Sequence, residues 1–183
     1  WDSTPKFPGD KDGTFLRSID VFNMKTETVS TSPYSLPDPL RRAFTGVVRD
    51  GKILLIGGIS QGASHFHLLH LVTSFDPEAG TFTNLAPLPF GTFAPGAGVI
   101  GKKVYIFGGG LFTSDGSFTY VNHILSLSAN GRAWMHTGRY LSQDKGFPMV
   151  VQIGLKQLGI LGGQSYDANG VDTPVTTFET FGM

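Results

Sequence analysis

With 183 residues, 40% hydrophobic and 15% charged, the chain is long enough for one ordinary domain with a substantial core and too apolar to be disordered. Its 14 basic and 14 acidic residues cancel, so no global field favours nucleic acid or an anionic membrane surface. Cysteine is absent, which excludes disulfides, thiol catalysis and cysteine-held zinc or iron-sulfur centres.

The 25 Gly, 11 Pro and 15 Phe describe many turns with aromatic packing between them, as in an all-β protein of short strands. The longest apolar stretches, near Ile53 to Ile59 and Val104 to Phe107, fall far short of the roughly 20 residues of a membrane helix, and no membrane insertion is expected. The chain opens on Trp1 instead of Met, from which removal of a signal peptide or another upstream segment is expected.

In chain order, the first elements lie in residues 19–36, where Phe22 and Val29 stand seven apart around a polar stretch and read as two strands of a hairpin. Next comes GVVRDGKILLIGG, ending at Gly57-Gly58. The same pattern returns as GAGVIGKKVYIFGG, ending at Gly108-Gly109, and as MVVQIGLKQLGILGG, ending at Gly162-Gly163, a period of about fifty residues. Each copy has an apolar run, a turn at Gly51, Gly101 or Gly154 with a nearby Lys, and a second apolar run closing on the glycine pair. That is a β-hairpin whose turn glycine supplies a positive φ. The paired glycines end the second strand and permit an approach that a Cβ would block.

A second hairpin follows each pair. Phe75 and Phe82 flank DPEAGT, Leu127 and Trp134 flank SANGRA, and both inner segments hold turn formers, so the apolar residues are expected to face each other across two strands. Two successive hairpins make a four-stranded antiparallel unit. The hydrophobic run ending in Gly-Gly, the aromatic Phe75 and Trp134, with Phe82 as its substitute, make this unit resemble the kelch motif, one blade of a β-propeller. The departures are Leu127 where kelch repeats usually carry Tyr, and Val29 and Phe82 where they usually carry Trp.

The expected fold is therefore all-β, a kelch-type propeller arc. Residues 15–40 supply the last two strands of an incomplete blade, 41–89 and 90–140 complete blades, and 141–183 a blade lacking its last strand, with Phe178 on its third. The total is about thirteen strands, against the sixteen to thirty-two of a closed ring of four to eight blades. Sheet edges and apolar faces of the end blades would be exposed. The rest of the ring is expected from another polypeptide, a second copy, or a further part of the same protein.

Strand alternation puts the loops after the glycine pairs (60–70, 111–123, 164–174) and the inter-blade loops (36–43, 87–95, 137–146) on one face. The resemblance implies that this face is a partner- or ligand-binding rim. Its candidates are Arg41, Arg42, His65, Phe66, His67, Phe90, Phe93, Phe118, Tyr120, Arg139, Tyr140 and Tyr166, with Lys145 nearby. Arginine beside aromatic residues is the composition of interface anchors, and loops on a rigid scaffold carry function. Arg42 and Arg139 could equally stabilise blade junctions.

His65, His67 and His70 form the one arrangement suggestive of metal, since alternate residues of an extended segment project to one side. Further ligands would have to come from His123, Asp115 or Asp167 on other blades, without a spacing rule, and the histidines read better as loop or interface residues. No G-x-S-x-G elbow is present. The GGG at 108–110 is not followed by Lys-Ser or Lys-Thr, and Asp115, Asp167 and Asp172 sit in Gly- and Ser-rich loops as turn caps. No catalytic residue, metal or cofactor is assigned.

The function expected is a non-catalytic interaction or structural module docking a protein partner. The alternative is a kelch-type enzyme such as a sialic-acid-like sugar epimerase (mutarotase), in which Arg42 or Arg139 would hold the acid and a His would move protons, or a His-based metal-binding propeller. A copper oxidase of this family needs a cysteine joined to a tyrosine, which this chain lacks. The cysteine-free composition and the Trp1 start suit a secreted or periplasmic protein, while cytosolic kelch proteins keep that compartment open.

Overall fold

The computed structural model describes residues 15–61, 66–113 and 117–182. Among these, nineteen strands and no helix are found. β1 (Ser18–Asn23) and β2 (Thr28–Ser35) form a two-stranded sheet. β3 (Thr45–Arg49), β4 (Lys52–Ile56), β7 (Val72–Asp76) and β8 (Thr81–Asn84) form a four-stranded sheet in the order β3-β4-β7-β8, and β5 (Ile59–Gln61) with β6 (Phe66–Leu68) forms a short hairpin beside it. The unit repeats as β9 (Gly96–Ile100), β10 (Lys103–Phe107), β13 (His123–Leu127) and β14 (Trp134–Tyr140), with β11 (Gly110–Phe112) and β12 (Phe118–Tyr120) as its hairpin. It repeats again as β15 (Met149–Gly154), β16 (Gln157–Leu161) and β19 (Phe178–Gly182), with β17 (Gln164–Tyr166) and β18 (Asp172–Pro174).

All pairings are antiparallel, and β9 packs beside both β3 and β15, so the first strands of successive sheets lie next to one another. Leaving out the three short hairpins, the sheets contain two, four, four and three strands, the thirteen expected from the repeat. The remaining six belong to segments read from sequence as variable loops. One turn also differs. Gly154 ends β15 paired with Gln157 after a register shift, so the turn falls on Leu155 and Lys156 and no positive φ is needed at Gly154.

Register puts Phe75 opposite Phe82, Leu127 opposite Trp134 and Phe22 opposite Val29. The rings of Phe75 and Phe82 stack with centroids 4.5 Å apart. The Trp134 indole donates a 3.0 Å hydrogen bond to the Ala86 carbonyl, tying the third sheet to the second.

β10 shows why the apolar runs need no polar alternation. Val104 and Ile106 pack against Leu54, Ile56 and Val72 of the preceding sheet. Tyr105 and Phe107 join Leu158, Ile160 and Phe181 of the following one. A strand with a neighbouring sheet on each side is apolar on both faces. The outermost faces have no neighbour among the described residues. Phe22 and Val29 at one end, and Met149, Val151, Ile153 and Phe178 at the other, are exposed.

The glycine pairs sit at the joints. Gly57 and Gly58 have φ of 66° and 102°, and Gly108 and Gly109 have 63° and 107°, all in left-handed territory. A Cβ on Gly57 would lie 2.5 Å from the Thr92 carbonyl oxygen of the next inter-blade loop, and one on Gly108 would overlap the Lys145 carbonyl oxygen of the loop after that. The second glycine of each pair makes the joining bond: Gly58 N–H to Thr92 O at 2.8 Å and Gly109 N–H to Lys145 O at 2.9 Å. Gly101, also at positive φ, faces open space. Gly108→Ala is therefore expected to cost more than about 2 kcal/mol and Gly101→Ala about 1 kcal/mol, measured by urea unfolding. Equal losses would remove the joint from the explanation.

Candidate functional site

Antiparallel alternation brings the inter-blade loops and the three short hairpins to one face. Each hairpin is locked to its own inter-blade loop by a backbone bridge: Arg42 to Ile59, Phe93 to Gly110 and Gly146 to Gln164. The loops are also chained together. Ala94 N–H donates to Ala43 O at 2.6 Å, and Phe147 N–H donates to Ala94 O at 2.7 Å. Ala43, Ala94 and Phe147 occupy equivalent places and all have φ near 50°, a conformation side chains rarely adopt, at 50°, 50° and 55°. The surrounding bridges and hydrogen bonds impose it.

On this framework sits a contiguous aromatic set. Phe93 is buried at its centre, with ring centroids 5.3 Å from Phe118, 6.3 Å from Tyr120 and 6.4 Å from Phe147. Phe112 stacks on Phe118 at 4.9 Å, and Tyr166 stacks on Tyr120 at 5.1 Å, joining the hairpins of the third and fourth sheets. Phe118, Phe147 and Tyr166 present their rings to solvent at 45%, 51% and 36% exposure. The Tyr120 hydroxyl is pushed up to about 12, first by burial and then by Asp172 and Tyr166, so it stays protonated through the physiological range. Across the rim, the Arg42 guanidinium lies 4.7 Å from the centroid of half-buried Phe66, and Phe15 stacks on the same ring at 6.4 Å.

Other candidates lie elsewhere. Arg41 is buried, with Nη2 donating to the Thr73 hydroxyl at 2.8 Å and Nη1 to the Leu71 carbonyl at 3.4 Å. Burial lowers its pKa from the ordinary arginine value. It ties its loop to β7 and presents nothing to a partner. Lys145, expected beside the rim aromatics, is fully buried at the equivalent place on the last sheet, its ammonium 2.6 Å from the Glu179 carboxylate and 2.8 Å from the Thr177 hydroxyl. Arg139 falls on β14 and reaches over the Phe181 ring at 4.3 Å, donating to the Gly182 carbonyl at 2.9 Å, which is a blade junction. Tyr140, the last residue of β14, joins His136, His123 and Phe90 in a separate ring cluster, with Tyr140 and His136 centroids 4.8 Å apart.

His65 and Asp115 lie outside the described residues. His67 is exposed on β6, and His70 donates from Nδ1 to the Leu88 carbonyl at 3.2 Å. Among the described residues no group of three or more His, Cys, Asp or Glu is placed to hold a metal ion. Asp167 caps its turn by accepting the Asn169 and Val171 amides at 2.8 Å each. Phe112 and Phe147 were not singled out from sequence. Phe112 had a readable signal, since Phe112 and Phe118 flank Thr-Ser-Asp-Gly-Ser, a hairpin turn composition. Phe147 had none, because its place beside Phe93 depends on the chain of loop hydrogen bonds.

No family model matches the chain. A 72-residue stretch, 39% of this chain, is 31% identical to Kelch-like protein 22 of Rattus norvegicus and equally to that of Mus musculus, matching 11% of each. The chain thus spans about a tenth of the length of these curated relatives. The solved structure of YjhT superposes with a TM-score of 0.66 over 88% of this chain and 59% of its own, at 15% identity, a likeness of fold. Serial antiparallel four-stranded sheets packed face to face around adjacent first strands define the class: an arc of a β-propeller. Its glycine-pair repeats and the similarity to the Kelch-like proteins support a kelch-type reading of that propeller. Among the described residues no helix is long and apolar enough to cross a membrane.

The Lys145–Glu179 pair yields a pH dependence. Burial pushes the Glu179 carboxyl up, but hydrogen bonds from Lys145 and from the Ser142 amide together outweigh it and leave the pKa below the ordinary 4.5. A depressed carboxylate adds stability that is fully present above the ordinary value and is lost as pH falls through the depressed one. Glu179→Gln should cost about 1–3 kcal/mol at neutral pH, with the gap to wild type closing as the pH drops below the ordinary glutamate value. Denaturant melts at a series of pH values check this; a gap independent of pH would contradict it.

Proposed function

We propose that the chain is a non-catalytic protein-interaction module, an arc of a kelch propeller whose aromatic rim docks a protein partner. The observation that carries this reading is the continuous run Phe112, Phe118, Phe93, Phe147, Tyr120 and Tyr166, partly exposed and held by backbone bonds between loops. Rigid aromatic side chains bury large area at small entropic cost, the property of binding hot spots. The epimerase alternative loses weight because Arg139 is engaged at a blade junction, leaving Arg42 as its acid-binding arginine.

The two open faces support completion of the arc by further propeller strands, from another chain, a second copy or another part of the protein. Phe22 and Val29 hold the register position that Phe75 and Phe82 hold against the first sheet, where Phe75 meets Tyr34. Stripes of this kind on a soluble protein are ordinarily covered.

A photo-crosslinking amino acid in place of Phe118 should capture a defined protein partner from the source extract, and the same probe at Lys102, on the opposite face, should not. Capture at neither site, or equally at both, would sink the rim assignment. For the arc itself, native mass measurement should give an assembly heavier than one 183-residue chain, or a lone chain that binds a hydrophobic dye strongly. A dye-silent monomer would show that the end faces need no cover.

A further inference from the structure

The face opposite the rim carries a second feature, independent of the aromatic set. Between the β3–β4 turn and the β7–β8 turn of the second sheet lies a cavity of about 290 Å³, at the small end of the range for ligand pockets. It is lined by Ser74, Thr81 and Thr83, by the charged residues Arg49, Asp50, Lys52 and Asp76, and by Leu54 and Leu85. Register explains the grouping. Leu54 pairs with Ser74 and Ser74 with Thr83, and Asp76 pairs with Thr81, so all project from the same side of the sheet toward the third blade. The β13–β14 turn closes the far wall: a Cβ on Gly131 would come within 3.4 Å of Arg49 Nη2.

The charges in this cavity are unequally committed. Lys52 is bound to Asp76 Oδ2 at 3.1 Å, while Asp76 Oδ1 accepts the Glu78 and Ala79 amides at 3.1 Å each, so this carboxylate has both oxygens occupied. Arg49 has no ion-pair partner among the described residues, and its Nη1 is buried without a hydrogen-bond acceptor. Asp50 lines the mouth but is exposed on the turn and forms no ion pair with Arg49. The hydroxyls of Ser74, Thr81 and Thr83 have no hydrogen-bond partner among the described residues either. A buried guanidinium N–H left unsatisfied costs free energy, and one anionic acceptor would satisfy it.

We propose that this crevice is a binding site for a small tetrahedral oxyanion, a phosphate or a phosphate-like group, with Arg49 as its charged anchor and Ser74, Thr81 and Thr83 as hydroxyl donors. Four donors converging from three strands exceed what the two oxygens of a planar carboxylate would use, and they suit a group with oxygens in several directions. The Lys52–Asp76 pair contributes a closed wall without net charge.

The test is a titration of the full chain with inorganic phosphate, with acetate as the planar comparison, at constant ionic strength set by chloride, followed by calorimetry and amide NMR. Phosphate should bind and shift the amides of Lys52, Ser74 and Gly131, acetate should bind at least tenfold more weakly, and Arg49→Met should weaken phosphate at least tenfold. Thr83→Val should weaken it several-fold, and Phe118→Ala, on the rim, should leave it unchanged. If Arg49→Met does not fold, the wild-type amide shifts and Thr83→Val decide the matter. No phosphate response in the wild type, a response that survives Arg49→Met, or equal binding of acetate would each overturn the assignment.

Discussion

Everything else in this arc depends on how closely one inter-blade loop can approach the end of the preceding blade. At Gly57 and Gly108 the next loop's carbonyl occupies the space a Cβ would take, and the following glycine amide bonds to that same carbonyl. The joint is thus made of backbone alone. Its geometry is the same at both places regardless of the side chains around it, which lets the loops vary while the blades keep their spacing. The apolar strands fill the space between sheets. The loop-to-glycine contact and the relay from Phe147 to Ala94 to Ala43 link the loops of successive blades.

The repeat treats equivalent positions in different ways. Arg41, Thr92 and Lys145 begin corresponding inter-blade bridges and are all buried, yet they meet Thr73, the Gly110 carbonyl and Glu179 respectively. Each pairing satisfies the buried polar group locally, as burial requires. The next position holds Arg42, Phe93 and Gly146, and here the differences decide the chemistry of the rim. Phe93 makes the aromatic centre. Gly146 lets the Tyr120 ring lie directly over its backbone, where a Cβ would collide.

The two faces of the arc have accordingly diverged. On one, long connections fold into hairpins whose rings stack across blade boundaries and leave edges exposed. On the other, the connections are turns of two to six residues without hairpins of their own, and among them lies a small polar crevice with an uncommitted arginine. The open sheets at either end form a third kind of surface, apolar because the strands that build them are made to be covered on both sides.

The sequence by itself determined the fold class, because the glycine pairs, the turn residues and the cross-strand pairs Phe75–Phe82 and Leu127–Trp134 are local signals with a fixed period. The hairpins inside the long loops were within its reach only where turn formers sat between aromatics, as at Phe112 and Phe118. It could not separate the arginines and lysine by role, since Arg41 and Arg42 are neighbours in the chain and only burial against β7 turns one inward. Nor could it find Arg49 or the gathering of Phe147 with Phe93, which come from residues more than fifty apart or from facing blades. Tertiary structure decided the site because a propeller assembles its surfaces from equivalent loops of different blades, and the contacts among those loops leave no periodic trace in the chain.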